Sequence, residues 1–258
     1  MTMRNQLRAA FYLLSRSAYL KGAVVLTVLM QGFRIWMVLN GASFGLQDSL
    51  LGDYLVRFFC CLVPVGMAGL DQHDHAWRSS CSSESGRVSY MASRMVTTAV
   101  SATALVLLNI ALDAVTMLVF PDASLLLNVS SMNSPARLLA QWLAVVTFAE
   151  LAQLLCWWTG RQAASMALAF LIAQFNIFGL LLGELFRYLA QFFPVFLAAD
   201  DVLGVIFLAP AFAKSVFSVG MRSMMLFPID PFSFYVMPLI DLAVVCLLSW
   251  RVMAKKAL

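Results

Sequence analysis

Both histidines of the chain, His73 and His75, fall in one polar run, DQHDHAWRSSCSSESGRVSYMASR, from Asp71 to Arg94. Aspartate, histidine and cysteine in one short stretch are the residue types that hold metals or move protons. The spacing argues against that chemistry. Residues two apart point to nearly opposite sides of a helix, so only Asp71 and His75, four apart, share a face. There is no HExxH pattern and no third histidine to complete a coordination shell. Solvated interfacial polar residues are the preferred reading, and no metal ligand is assigned. The serines of 79–89 lack a GxSxG setting, so no catalytic residue is assigned either. GxxxxGK[ST] is absent as well, which excludes P-loop binding of ATP by this chain. A transporter built on it would draw its energy from another subunit or from an ion gradient.

The elements around the run are strongly apolar. Of 258 residues, 62% are hydrophobic and 12% charged, about half the charged fraction of a soluble domain (~25%). Six windows have the length and apolarity of membrane-crossing helices: 21–40, 50–70, 90–119, 136–158, 163–185 and 233–252. The expected fold is an all-α integral membrane protein, one domain over 1–258 with six transmembrane helices. The first apolar run begins after about twenty residues and carries Arg34, so no cleavable signal peptide is expected. With the N-terminus inside, the inner side receives Arg4, Arg8, Arg16, Lys21, Arg78, Arg87, Arg94, Arg161, Arg251, Lys255 and Lys256. The outer segments receive Arg137, Arg187, Lys214 and Arg222, and Arg34 and Arg57 lie within spans. This bias places both termini in the cytoplasm. None of the five cysteines then faces outside, and free thiols are expected.

Two segments do not fit a plain span. In 2–18, Leu7, Phe11, Leu14 and Ala18 recur at helical spacing among Asn5, Arg8 and Arg16, which describes an amphipathic helix on the inner surface. Residues 188–213 are apolar but interrupted by Pro194, Pro210 and the pair Asp200–Asp201. Each half is about 18 Å as helix, too short to cross, so a re-entrant outer hairpin between helices 5 and 6 is expected rather than a seventh span.

Charges within spans are candidates for function. Arg34, Asp53, Arg57 and Asp241 fall at a similar outer depth and can neutralise one another in a polar layer, or bind cargo along a translocation path. Asp53 and Arg57 share a helix face. Glu150 lies about 20 Å from the outer end of its span with no basic residue of another span at that depth. It is protonated, paired with a neighbouring subunit, or exposed to a wet cavity. Gln141, Gln153, Gln174 and Asn176 add uncharged polar groups suited to helix packing, while Asp113 and Glu184 fall near outer ends within reach of water.

The order of elements resembles the membrane subunit of a type-2 ABC exporter, the ABC-2 permease class. A surface helix at 2–18, six spans with both ends inside, the polar loop between spans 2 and 3 and the long apolar hairpin carry the likeness. In that family the loop is a short helix that docks into a groove of the ATPase subunit. Asp71 and Glu84, SSESG with Gly86, then Arg87, Tyr90 and Arg94 match its usual wording loosely. The resemblance implies a coupling loop over 71–89, with its docking helix at 79–89 ended near Gly86, and coupling residues Asp71, Arg78, Ser82, Glu84, Gly86, Arg87 and Tyr90. No capping box marks that helix, since Cys81 stands three before Glu84. Chain length and FPIDPF at 227–232 look most like the small permeases of lantibiotic immunity and peptide export. The implied partners are a cytoplasmic P-loop ATPase, which would bind the ATP and magnesium, a second permease subunit, and the bilayer of a prokaryotic cytoplasmic membrane. No cofactor of its own and no nucleic acid are expected. The alternatives are a secondary transporter or channel, a membrane enzyme using His73 or His75, and a non-transporting subunit of a membrane complex.

Overall fold

A computed structural model describes residues 3–39, 54–73, 84–119, 135–175 and 231–256. Among these residues there are seven helices and no strand: α1 Met3–Arg16, α2 Ala18–Leu39, α3 Tyr54–His73, α4 Glu84–Val119, α5 Pro135–Thr159, α6 Gln162–Phe175 and α7 Pro231–Lys256. The 188–213 hairpin lies outside the described residues.

Local chemistry explains the breaks. Between α1 and α2, the Ser17 hydroxyl accepts the Tyr19 amide at 3.2 Å, the bond of a serine N-cap, and the two axes bend by 49°. Between α5 and α6 the chain turns at Gly160, whose φ of 68° lies in the left-handed region that a side chain resists. Its amide donates to the Cys156 carbonyl at 3.0 Å, and Thr159 Oγ1 accepts the Arg161 amide, so α6 starts at once. Proline is the first residue of α5 and of α7, where its missing N–H costs nothing. Pro64 instead lies inside α3, leaving the carbonyl four residues before it without a helical donor.

α3 and α5 form the middle of the bundle. α3 packs against α2, α4, α5 and α6, while α5 packs against α3, α4, α6 and α7. One apolar cluster joins Val65 and Ala68 of α3 to Met91, Phe148, Trp157 and Met253. The other joins Val63 and Met67 to Leu14, Ala23, Leu105, Val145 and Ala149. All of Val145–Glu150 is buried, so α5 has no solvent face at that level. The outer sides of α2, α4 and α7 expose large apolar side chains, from Leu29 and Trp36 through Leu107 and Leu118 to Leu247.

Among the described residues one helical segment, Gly86–Thr116, is by itself long and apolar enough to cross a membrane. A second appears when the bent pair Met3–Arg16 and Ala18–Phe33 is counted as one. Val145–Thr159 and Gln162–Leu171 are shorter apolar stretches. α4 runs from Glu84 through Gly86 without a break, whereas the resemblance implied a docking helix at 79–89 ended near that glycine; 79–83 lie outside the described residues. One helical glycine costs only about 1 kcal/mol relative to alanine, which the packing of so long a helix overcomes.

Candidate functional site

The run that opens the sequence argument flanks the junction of α3 with α4. Asp71 is in the last turn of α3 and only 6% exposed. Tyr90 and Arg94, one helical turn apart on α4, converge on its carboxylate. The Tyr90 hydroxyl donates to Oδ2 at 2.6 Å, and Arg94 Nη2 forms an ion pair with Oδ1. The guanidinium carbon also sits 5.5 Å from the centre of the Tyr90 ring. A carboxylate and a guanidinium taken out of water together need such mutual satisfaction to remain charged. Asp71 and Tyr90, expected in a solvated loop, are thus part of a buried clamp between two helices.

Above the clamp is a small cavity with about 10 Å³ open to the centre of a water molecule, the room one water needs. It is lined by Val63, Pro64 and Met67 of α3 and by Arg94, Thr97, Thr98 and Ser101 of α4, with Gln153 of α5. Thr98 donates to Gln153 Oε1 at 2.8 Å, while Arg94 Nε and Nη1 have no protein acceptor. Further bonds tie the same end together. Gln72 Nε2 donates to the Cys156 carbonyl at 2.9 Å, and Gln162 Nε2 donates to the Tyr19 hydroxyl at 2.7 Å. Gly66 and Gly69 admit these contacts. A Cβ at Gly66 would lie 2.3 Å from the Tyr19 ring, and one at Gly69 would lie 2.7 Å from Gln162 Oε1.

A second polar cluster stands toward the other end of α4. Gln31 Nε2 of α2 donates to Asp113 Oδ1 at 2.8 Å and to Thr116 Oγ1 at 3.0 Å, and Asn109 Nδ2 reaches Asp113 Oδ2 at 3.3 Å. Asp113 is therefore buried against α2 rather than open to water as its position near a span end suggested. Ala102, Leu105 and Val106, all buried, separate the two clusters.

Of the other candidate residues, Glu84 opens α4, Gly86 is buried in its first turns and Arg87 is half-buried. Arg78, Ser82, Asp53 and His75 lie outside the described residues, as do the side chains of Arg34 and Arg57. The expected grouping of Arg34, Asp53, Arg57 and Asp241 falls on them, and Asp241 is half-buried on α7. Glu150 is 2% exposed, and its Oε2 has no hydrogen-bond partner. Its own bundle covers it. Cys60, Cys61, Cys156 and Cys246 are free thiols. Among the described residues no group of three or more His, Cys, Asp or Glu could hold a metal; His73 is exposed in the last turn of α3. Sequence reasoning missed the role of Gln31, Asn109, Thr97, Thr98 and Ser101. For the four on α4 the signal was present as polar residues recurring along one helix, whereas Gln31 stands alone on α2.

No protein-family model, curated protein or solved structure matches the chain.

Proposed function

We propose that the chain is the membrane permease subunit of an ATP-driven exporter of the ABC-2 type. It crosses the prokaryotic cytoplasmic membrane six times with both termini inside, and moves a peptide, antibiotic or other amphipathic cargo outward. The observation that carries this reading is the Asp71–Tyr90–Arg94 clamp. It joins α3 to α4 beside the polar connection between them, so a force on that connection reaches both helices as a unit. The exposed apolar sides of α2, α4 and α7 support immersion in lipid. The resemblance supplies the partner: a P-loop ATPase gripping the connection through Arg78, Ser82, Glu84 and Arg87, with a second permease subunit completing the path. ATP-driven closure of the ATPase pair tilts α3 and α4 together and shifts access from inside to outside. Methionine and aromatic side chains suit an adaptable apolar cargo.

The test is charge reversal at the connection. Glu84→Lys and Arg87→Glu should abolish ATP-driven transport while the purified chain keeps its helix content and melting temperature. Transport and cargo-stimulated ATP hydrolysis at unreversed levels in both variants would refute the coupling role.

A further inference from the structure

α1 has two faces that repeat every four residues. Gln6, Ala10 and Leu14 are buried, and α1 packs on α4. The opposite side exposes Arg4, Arg8, Tyr12 and Arg16 in one row, a rise of about 18 Å along the axis. Phe11 and Leu13 flank the row, and both are exposed together with Tyr12. The Arg16 guanidinium lies 4.7 Å from the centre of the Tyr12 ring, holding one cation of the row against its aromatic member. The first acidic residue in the sequence is Asp48, so α1 itself carries no acid to offset its arginines.

This composition discriminates between surroundings. A face meant for water has no use for three exposed apolar and aromatic side chains in succession. A face meant for acyl chains would not carry three arginines. The headgroup layer of a membrane accepts both, because arginine stems lie along apolar surface while their heads reach phosphate oxygens. Guanidinium binds phosphate through paired hydrogen bonds, so the row favours anionic headgroups over zwitterionic ones.

We propose that this face of α1 is a docking surface for anionic phospholipid. Arg4, Arg8 and Arg16 bind headgroup phosphates, and Phe11, Tyr12 and Leu13 enter the boundary with the acyl chains. The inference goes beyond the exporter reading and needs neither an ATPase nor a cargo.

The experiment uses the full chain in nanodiscs of phosphatidylcholine with phosphatidylglycerol, reading the lipids retained on release by native mass spectrometry. The unmodified protein should retain phosphatidylglycerol preferentially. Each arginine replaced in Arg4→Gln, Arg8→Gln and Arg16→Gln should lower that preference by about fivefold before salt screening. The three corresponding lysine variants, which keep the charge, should retain most of it and show that the fold survives substitution. An unchanged preference in the triple glutamine variant overturns the proposal. So does displacement of the lipid by millimolar inorganic phosphate, which would mark a free-anion site. Loss of a co-purifying protein from the triple variant, with lipid retention intact, would assign the face to a protein partner and overturn it equally.

Discussion

Asp71 and Arg94 depend on each other because both are buried and each is the other's opposite charge. Removing only the acid leaves a guanidinium buried with no counter-charge, a change that typically costs about 3–5 kcal/mol. Asp71→Ala should therefore lower thermal stability in detergent by that order, and Asp71→Leu combined with Arg94→Met should recover most of the loss. A double variant no more stable than Asp71→Ala would show that the pair does not act as a unit. Glu150 poses the opposite case. No group among the described residues satisfies its Oε2, so the near-isosteric Glu150→Gln should leave the melting temperature unchanged or raise it. A loss of more than about 2 kcal/mol, beyond the range of an ordinary single hydrogen bond, would mean that the carboxyl has a partner that the amide cannot replace. The residue scale is also where the sequence was least legible. Asp71 and Arg94 could be named as charged positions, yet their pairing crosses a polar loop and shows in no periodicity. Gln31 and Asp113 are 82 positions apart, and only the packing of α2 on α4 brings them together.

At the scale of elements, helix approach depends on two glycines and one turn. Gly66→Ala would drive a methyl into the Tyr19 ring, an overpacking worth about 1–3 kcal/mol. Combining it with Tyr19→Ala should make the glycine change nearly neutral, as a double-mutant cycle on melting temperatures would reveal. Gly160→Ala should cost about 1–2 kcal/mol, because an L-residue resists the left-handed backbone at the α5–α6 turn. The helices themselves were easier to read than their contacts. Apolar windows located α2, α3, α5 and α7 to within a few residues wherever the structure describes them, because long runs of one character survive errors of register. The continuity of α4 past Gly86 was not legible, because serine and glycine at 85–86 are weak helix formers taken locally. The packing of Tyr90, Met91 and Arg94 against α3 overrides that local preference.

At the scale of the bundle, the seven described helices pack with α3 and α5 in the middle, two buried polar clusters lie along α4, and apolar side chains cover the outer sides of α2, α4 and α7. Composition alone pointed to a helical membrane-type chain, since half the usual charge leaves little else. Whether the chain works with an ATPase was not legible, because that depends on whether a second polypeptide fits the connection between α3 and α4. In the proposed exporter the clamp below and the lipid-facing α1 hold the bundle while the connection transmits force. The most direct measurement purifies the full chain from mild detergent after co-expression with the products of its neighbouring reading frames. The exporter account predicts a stable complex that hydrolyses ATP and falls apart on Glu84→Lys or Arg87→Glu, with the permease still folded. A chain that purifies alone, or a complex indifferent to both charge reversals, would contradict it.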